Sequence, residues 1–358
     1  MNTPLTVTRE KLLAALDAVQ DPVNGAGLVA SGALTALEIA ESGKVVASIE
    51  APADKAALYE NARKKAEETL KAQHGVTQAI VVVTAHEAKP ATPKGLANVK
   101  VIIAVASAKG GVGKSSVAVN LACAFAALGK KTGLLDIDVY GPSAPTLLGV
   151  SDQKPRALPD KSIEPIKVFG LTTMSIGYLV NAETAMVWRG AMATSAVRQM
   201  LEDVVWGELD VLVLDLPPGT GDVQLTLAQR APLTGAVIVS TPQEMALADV
   251  RRGIQMFEKT HTPVLGVIEN MAYFVNSDGT HAYIFGQGGA RKTAEDVGVP
   301  FLGELPIDVS LRESCDAGAP LVATQPDHPM SKRFIAFAEA TLVNAASAAK
   351  TAPIIRFE

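Results

Sequence analysis

The spacing of hydrophobic and polar positions changes character near residue 99. Before it, Leu12, Leu13, Leu16 and Val19 fall at helical spacing behind Thr8, a residue type that caps helix starts. Asp21-Pro22 stops that helix, and Gly25 and Gly27 mark the turn beyond it. Ala33 to Ala40 and Val45 to Ile49 read as short strands joined by a turn at Glu41-Ser42-Gly43-Lys44. Pro52 to Gln73, rich in Ala, Glu, Lys and Leu, predicts a helix, and Gln78 to Thr84 a third strand. The order helix, strand, strand, helix, strand predicts a small α+β domain over residues 1–86. Glu87 to Asn98 carries two prolines, one glycine and no apolar period, so it reads as a linker.

Beyond it, over residues 99–358, short and mostly apolar runs recur: Val99–Ala106, Thr132–Asp136, Val211–Asp215, Ala236–Ser240 and Val264–Glu269. Helix-like stretches lie between most of them. Strands apolar on both faces and alternating with helices predict an α/β fold, a mostly parallel sheet covered by helices on both faces. Ser331 to Lys350 reads as an Ala-rich helix, and Pro353-Ile354-Ile355 as an extended end.

Composition narrows the function classes. With 32 Lys and Arg against 37 Asp and Glu, the net charge is −5. That mild acidity, without a dense basic run, gives no expectation of a nucleic-acid partner. No apolar run approaches the ~18 residues of a membrane span. The start has no basic region followed by an apolar one, and two cysteines, Cys123 and Cys315, make no disulfide framework. A cytoplasmic protein is the expectation.

The strongest chemical signal is Ser107-Ala108-Lys109-Gly110-Gly111-Val112-Gly113-Lys114-Ser115-Ser116, between the first apolar strand and a helix from Ser116 to Leu128. Strand, glycine-rich turn and helix is the setting of a phosphate-binding loop. Its backbone N–H groups converge on phosphate oxygens, and the helix N-terminus favours negative charge. Lys114 is placed to reach the β- and γ-phosphates of ATP, and Ser115 Oγ to ligate Mg²⁺. Asp136 and Asp138 follow the second strand. A carboxylate there orients an attacking water or holds Mg²⁺ through water. Four apolar residues, Val211 to Leu214, lead to Asp215, placed to hold Mg²⁺ through water. Leu216-Pro217-Pro218-Gly219-Thr220-Gly221-Asp222 then suits a loop whose Gly219 N–H senses the γ-phosphate.

The loop departs from the ordinary phosphate-loop pattern. Ala108 stands where the first glycine belongs, and an extra lysine, Lys109, opens Lys-Gly-Gly-Val-Gly-Lys-Ser. This resembles the deviant loop of the MinD/ParA and nitrogenase-iron-protein group. The resemblance implies a homodimer with ATP between subunits and Lys109 reaching the partner's nucleotide. It also implies that Asp138 in the first switch positions water and that Asn270 contacts adenine, which leaves Asp136 to act on Mg²⁺ through water.

Further stretches, Asp138 to Pro145, Trp188-Arg189-Gly190, Asp215 to Asp222, Glu269 to Phe274, Ile284 to Ala290 and Leu305 to Asp308, resemble the Mrp/ApbC/Nbp-type ATPases. Asp21-Pro22 and Gly25 resemble the small iron–sulfur-assembly domain that precedes such ATPases. The resemblance implies slow ATP hydrolysis serving iron–sulfur cluster assembly or transfer to client apoproteins, with a [4Fe–4S] cluster held between subunits by Cys-x-x-Cys. Here Asn276 and Gly279 occupy the cysteine positions, and neither suits iron sulfide. Asp278 and His281 are alternative metal candidates, Cys123 reads as core, and Cys315 follows a turn. The rival reading is a MinD/ParA-like positioning or adaptor protein that carries no cluster. Its membrane-binding form needs a basic amphipathic C-terminal helix, which the Ala-rich tail is not.

Overall fold

The computed structural model describes residues 8–40, 42–86, 93–179, 190–219, 221, 224 and 230–351. The chain divides into two compact units, Met1–Pro90 and Ala91–Glu358. Trp188, Arg189, Thr220, Asp222 and the extended end at residues 353–355 lie outside the described residues, as does Glu41 of the first hairpin.

The first unit contains α1 (Arg9–Asp17), β1 (Leu34–Ile39), β2 (Lys44–Pro52), α2 (Tyr59–Lys71) and β3 (Gln78–His86). Central β2 pairs antiparallel with β1 and parallel with β3. Along β2, Val45, Ala47, Ile49 and Ala51 are buried and the residues between them are half-buried, the period-2 signature of a sheet with one packed face. Leu12 and Leu16 of α1 and Ala66 and Leu70 of α2 complete that core. Thr8 precedes α1, but its side chain makes no capping bond. The helix read from Pro52 opens instead as a 3₁₀ segment, Ala53–Leu58, a common way for a helix to begin.

The second unit starts with β4 (Val99–Ala106), α3 (Lys114–Ala127), β5 (Thr132–Asp136) and α4 (Ala144–Leu147). Next come β6 (Arg156–Ala157), β7 (Ile163–Glu164), β8 (Ile166–Val168), β9 (Leu171–Ser175), α5 (Ile176–Leu179), α6 (Gly190–Asp203) and β10 (Leu209–Asp215). The remainder is β11 (Gly235–Ser240), α7 (Glu244–Lys259), β12 (Val264–Glu269), β13 (Phe274–Val275), β14 (His281–Ala282), α8 (Gly289–Val297), β15 (Phe301–Glu304), α9 (Val309–Asp316), α10 (Leu321–Thr324) and α11 (Pro329–Thr351).

Eight strands form one sheet in the order β15-β12-β11-β4-β10-β5-β9-β8, parallel except for β8 against β9. The central strands are buried on both faces, β10 from Val211 to Asp215 and β11 throughout. The crossover from β4 runs to β5 on one side of the sheet, and that from β10 returns past β4 to β11 on the other. That reversal is the switch point beside which open α/β sheets bind ligands, at the carboxyl ends of the strands. Ala106, Asp136 and Asp215 all end strands there. Asp215 lies in register with Val105 on one side and with Asp136 on the other, which puts two carboxylates side by side on neighbouring strands.

Candidate active site

Lys114 opens α3 directly after Gly113, which adopts φ +82, a left-handed conformation that L side chains avoid. The turn it permits folds residues 107–116 around a cavity of about 290 Å³. Gly110, Gly111, Gly113, Lys114, Ser115, Ser116 and Asp138 all line it. Lys114 is 6% exposed, and its Nζ donates to Asp215 Oδ1 at 2.5 Å and to Ser115 Oγ at 3.2 Å, with Asp138 Oδ2 at 3.6 Å. A buried ammonium is tolerated here because two carboxylates face it.

The other oxygen of Asp215, Oδ2, is buried with no hydrogen-bond partner. Such an orphan acceptor is costly unless something donates to it. Beside the glycine-lined cavity, it fits water molecules bound to a magnesium ion. Ser115 Oγ is the hard oxygen nearest that position in the sequence motif. The ion would supply charge neutralisation to the phosphates when bound.

Asp136 is engaged differently. Its Oδ1 accepts Asp138 N–H at 3.0 Å. Its Oδ2 accepts Ser143 and Ala144 N–H, each at 3.0 Å, and Ser175 O–H at 2.9 Å. Full burial, then the neighbouring Asp215, push its carboxyl up to about 7, against the pull of these donors. Asp136 therefore stands behind the cavity and shapes the loop that carries Asp138. Asp138 is raised above the usual carboxylate range by burial, with Lys114 opposing and Asp215 adding to the rise.

Three further candidates take up distinct positions. Lys109 is exposed. Gly219 donates its N–H to Ser107 O at 2.8 Å, so the loop after Asp215 rests on the glycine-rich loop. Asn270 is 7% exposed, and its Nδ2 donates to Val112 O at 2.8 Å, which places it against the turn at Gly113. Ser143, Ser175 and Gln224 escaped the sequence reading. Ser175 ends β9, whose Leu-Thr-Thr-Met-Ser lacks the apolar run that marks the central strands.

The Cys-x-x-Cys position is a closed turn between β13 and β14. Asn276 N–H donates to Thr280 O at 2.8 Å, Gly279 N–H to Asn276 O at 2.9 Å, and Asn276 Nδ2 to Thr280 Oγ1 at 3.0 Å. Asp278 accepts from both Thr280 N–H and O–H, which hold its carboxyl below the usual range. His281 stacks on Tyr273 with ring centroids 4.0 Å apart. Among the described residues, no group of three or more His, Cys, Asp or Glu is arranged to hold a metal ion. Cys123 is buried in the core, and burial pushes its thiol up to about 12; Cys315 is half-buried.

The sequence profile described as NUBPL iron-transfer P-loop NTPase matches residues 98–342, more than half of the chain. The chain belongs to this family. A second profile, iron–sulfur cluster assembly protein, matches residues 9–81. The iron–sulfur cluster carrier proteins of Salmonella typhimurium and Escherichia coli strain K12 are each 56% identical over 234 residues, 65% of this chain. The match spans 63% of those relatives' length, so less than two thirds of them is compared. The iron–sulfur cluster transfer protein NUBPL of Dictyostelium discoideum is 48% identical over 253 residues, 70% of this chain and 78% of its own.

Among solved structures, a nucleotide-binding protein from Archaeoglobus fulgidus in complex with ADP superposes with a TM-score of 0.59 at 42% identity. It covers 67% of this chain and 93% of its own. The cell division ATPase MinD of Pyrococcus furiosus shares the fold, at TM-score 0.52 and 22% identity, over 68% of this chain and 98% of its own. These matches establish a MinD/ParA-type P-loop NTPase fold for the second unit. No helix among the described residues is long and apolar enough to cross a membrane.

Proposed function

We propose that this NTPase binds and slowly hydrolyses ATP as a homodimer, and uses the cycle in cytoplasmic iron–sulfur cluster assembly or transfer to client apoproteins. We further propose the division 1–86, 87–98 and 99–358 as assembly-type domain, linker and ATPase. One observation carries the ATPase reading: Lys114, at the glycine-lined cavity, faces both Asp138 and Asp215, and Asp215 keeps an unpaired buried oxygen. The N–H groups of residues 110–116 would bind the phosphates, and Lys114 would move from Asp215 to them. Ser115 and Asp215 would hold magnesium, Asp215 through water, while Asp136 holds the Asp138 loop from behind. Asp138 would orient the attacking water, and Asn270 would contact adenine after leaving Val112 O. Positioning and charge stabilisation suffice for this chemistry. Exposed Lys109 would serve the partner's nucleotide.

The carrier names of the relatives support the cluster role. The closed turn at Asn276 and Gly279 favours a second form of it, an adaptor that gates access to clients without holding a cluster there. Anaerobic reconstitution with iron and sulfide, followed by transfer to an apo-acceptor, separates the two. Bound cluster with transfer supports carriage, and neither supports the adaptor. Lys114→Ala is expected to abolish ATP turnover, and surviving turnover would refute the phosphate-loop assignment. Lys109→Ala is expected to keep nucleotide binding and lose dimer-dependent hydrolysis; unchanged hydrolysis would leave that lysine a solvated loop residue.

A further inference from the structure

The stretch Leu216-Pro217-Pro218-Gly219 is fastened at several points. Leu216 N–H donates to Val105 O at 3.1 Å, and Gly219 N–H to Ser107 O at 2.8 Å. The two prolines between them have no N–H to offer. Gln224, 3% exposed, reaches back to the carbonyl of the first of them. Its Nε2 donates to Pro217 O at 2.6 Å, and its Oε1 accepts Gly221 N–H at 2.6 Å. The side-chain amide offers donor and acceptor in one plane at this reach, and this orientation pairs both. Gly219 itself adopts φ +105 above that amide, whose nitrogen lies 3.6 Å from where a Cβ would stand.

We infer that Gln224 is a positioning residue that ties Pro217 O and Gly221 N–H to one amide, so that Gly219 N–H can pass from Ser107 O to the γ-phosphate while those two anchors stay in place. This inference rests on the ATPase reading above. A bound γ-phosphate competes with one carbonyl for one N–H. Pro217 and Gly221 must keep their places while that bond changes partner, and the Gln224 amide is what holds them. ADP lacks the competing group, so Gln224 matters to discrimination between the nucleotides and not to holding either one's inner phosphates.

The test uses the full chain with Gln224→Ala and Gln224→Glu, titrated with ADP and with a non-hydrolysable ATP analogue in magnesium, alongside turnover and the thermal midpoint without nucleotide. For Gln224→Ala, ADP affinity is expected to stay within about twofold. Analogue affinity and turnover are expected to fall about tenfold, the scale of the two hydrogen bonds lost. Gln224→Glu keeps an acceptor for Gly221 but sets an anionic oxygen against Pro217 O. Its protonated form restores the donor, so its turnover relative to the parent is expected to rise from about pH 8 to about pH 6. Equal loss of ADP and analogue affinity, or a Glu variant with the parent's pH profile, would overturn the inference. A parent chain that hydrolyses ATP while Gln224→Ala matches it overturns the inference alone. A parent that binds no nucleotide overturns the ATPase reading with it.

Discussion

Two buried polar pairs, Lys114–Asp215 and Tyr59–Asp21, carry opposite kinds of information. The first sits at strand ends beside a cavity, where Lys114 is the cation facing Asp138 and Asp215. The second closes on itself. Tyr59 O–H donates to Asp21 Oδ1 at 2.8 Å, and Val23 N–H donates to the same oxygen at 2.8 Å. Burial works against the Asp21 charge, but the bonds from Val23, Tyr59, Ser31 and Asn24 together outweigh it and hold the carboxyl below its ordinary range. Burial, then the Asp21 bond and charge, push Tyr59 up to about 12. A raised folded value means that the contribution of Tyr59 is complete below its unfolded value near 10 and disappears as pH rises from there through about 12. Asp21 works at the other limit: its contribution is present above about pH 4 and fades as pH falls below it. Tyr59→Phe is therefore expected to lower the stability of the first unit by about 1 kcal/mol near neutrality. The same change is expected to flatten the alkaline decline. Amide exchange across residues 9–86 of the full chain, compared at about pH 8 and about pH 11, reads both effects. A variant that loses protection at high pH as steeply as the parent would show that Tyr59 is not the titrating group.

The hairpin β13–β14 tests the cluster question at the level of one element. Asn276 closes its turn from one side and Thr280 from the other, while Gly279 sits at φ +84 with nothing near its Cβ position. A cysteine at 279 has room but pays roughly 1 kcal/mol for the left-handed backbone. The double variant Asn276→Cys, Gly279→Cys is expected to fold and, after anaerobic reconstitution, to hold more iron and sulfide than the parent. Equal iron in parent and variant would mean that other ligands hold the cluster. The elements around this hairpin also mark how far sequence could be read. The β4, β5, β10, β11 and β12 strands were legible because central parallel strands are apolar on both faces. Edge strand β15 is half-buried throughout, and β9 carries two threonines, so neither produces that signature. The phosphate loop and Asp215 were legible because their roles fix residue type and spacing. Ser175 was not, because it acts through a bond to Asp136 that only folding brings near. Gln224 was not, because no motif spacing marks an amide that reaches back to Pro217 and Gly221.

Across the whole molecule, each of the two units closes its own hydrophobic core. Leu12, Leu28, Val45, Ile49, Tyr59 and Leu70 belong to one cluster, and Ile103, Phe125, Leu212, Phe257 and Phe334 to another, with no residue in both. Among the described residues, those that line the cavity at the glycine-rich loop belong to the second unit. A ligand that binds only the folded form of one unit stabilises that unit by mass action, about 2.7 kcal/mol at a hundred times its dissociation constant. Saturating ADP with magnesium is therefore expected to raise amide protection across β4, α3, β5 and β10 while leaving residues 9–86 unchanged. Urea is expected to unfold the full chain in two transitions, only one of them moved by nucleotide. The outcome also bears on function, because a switch must convey its nucleotide state to the surface that clients touch. A nucleotide-dependent change within residues 9–86 would contradict the independence argued from the separate cores. It would make the small unit a reporter of the ATP cycle, whereas no change confines the switch to the loops around Asp138 and Gly219.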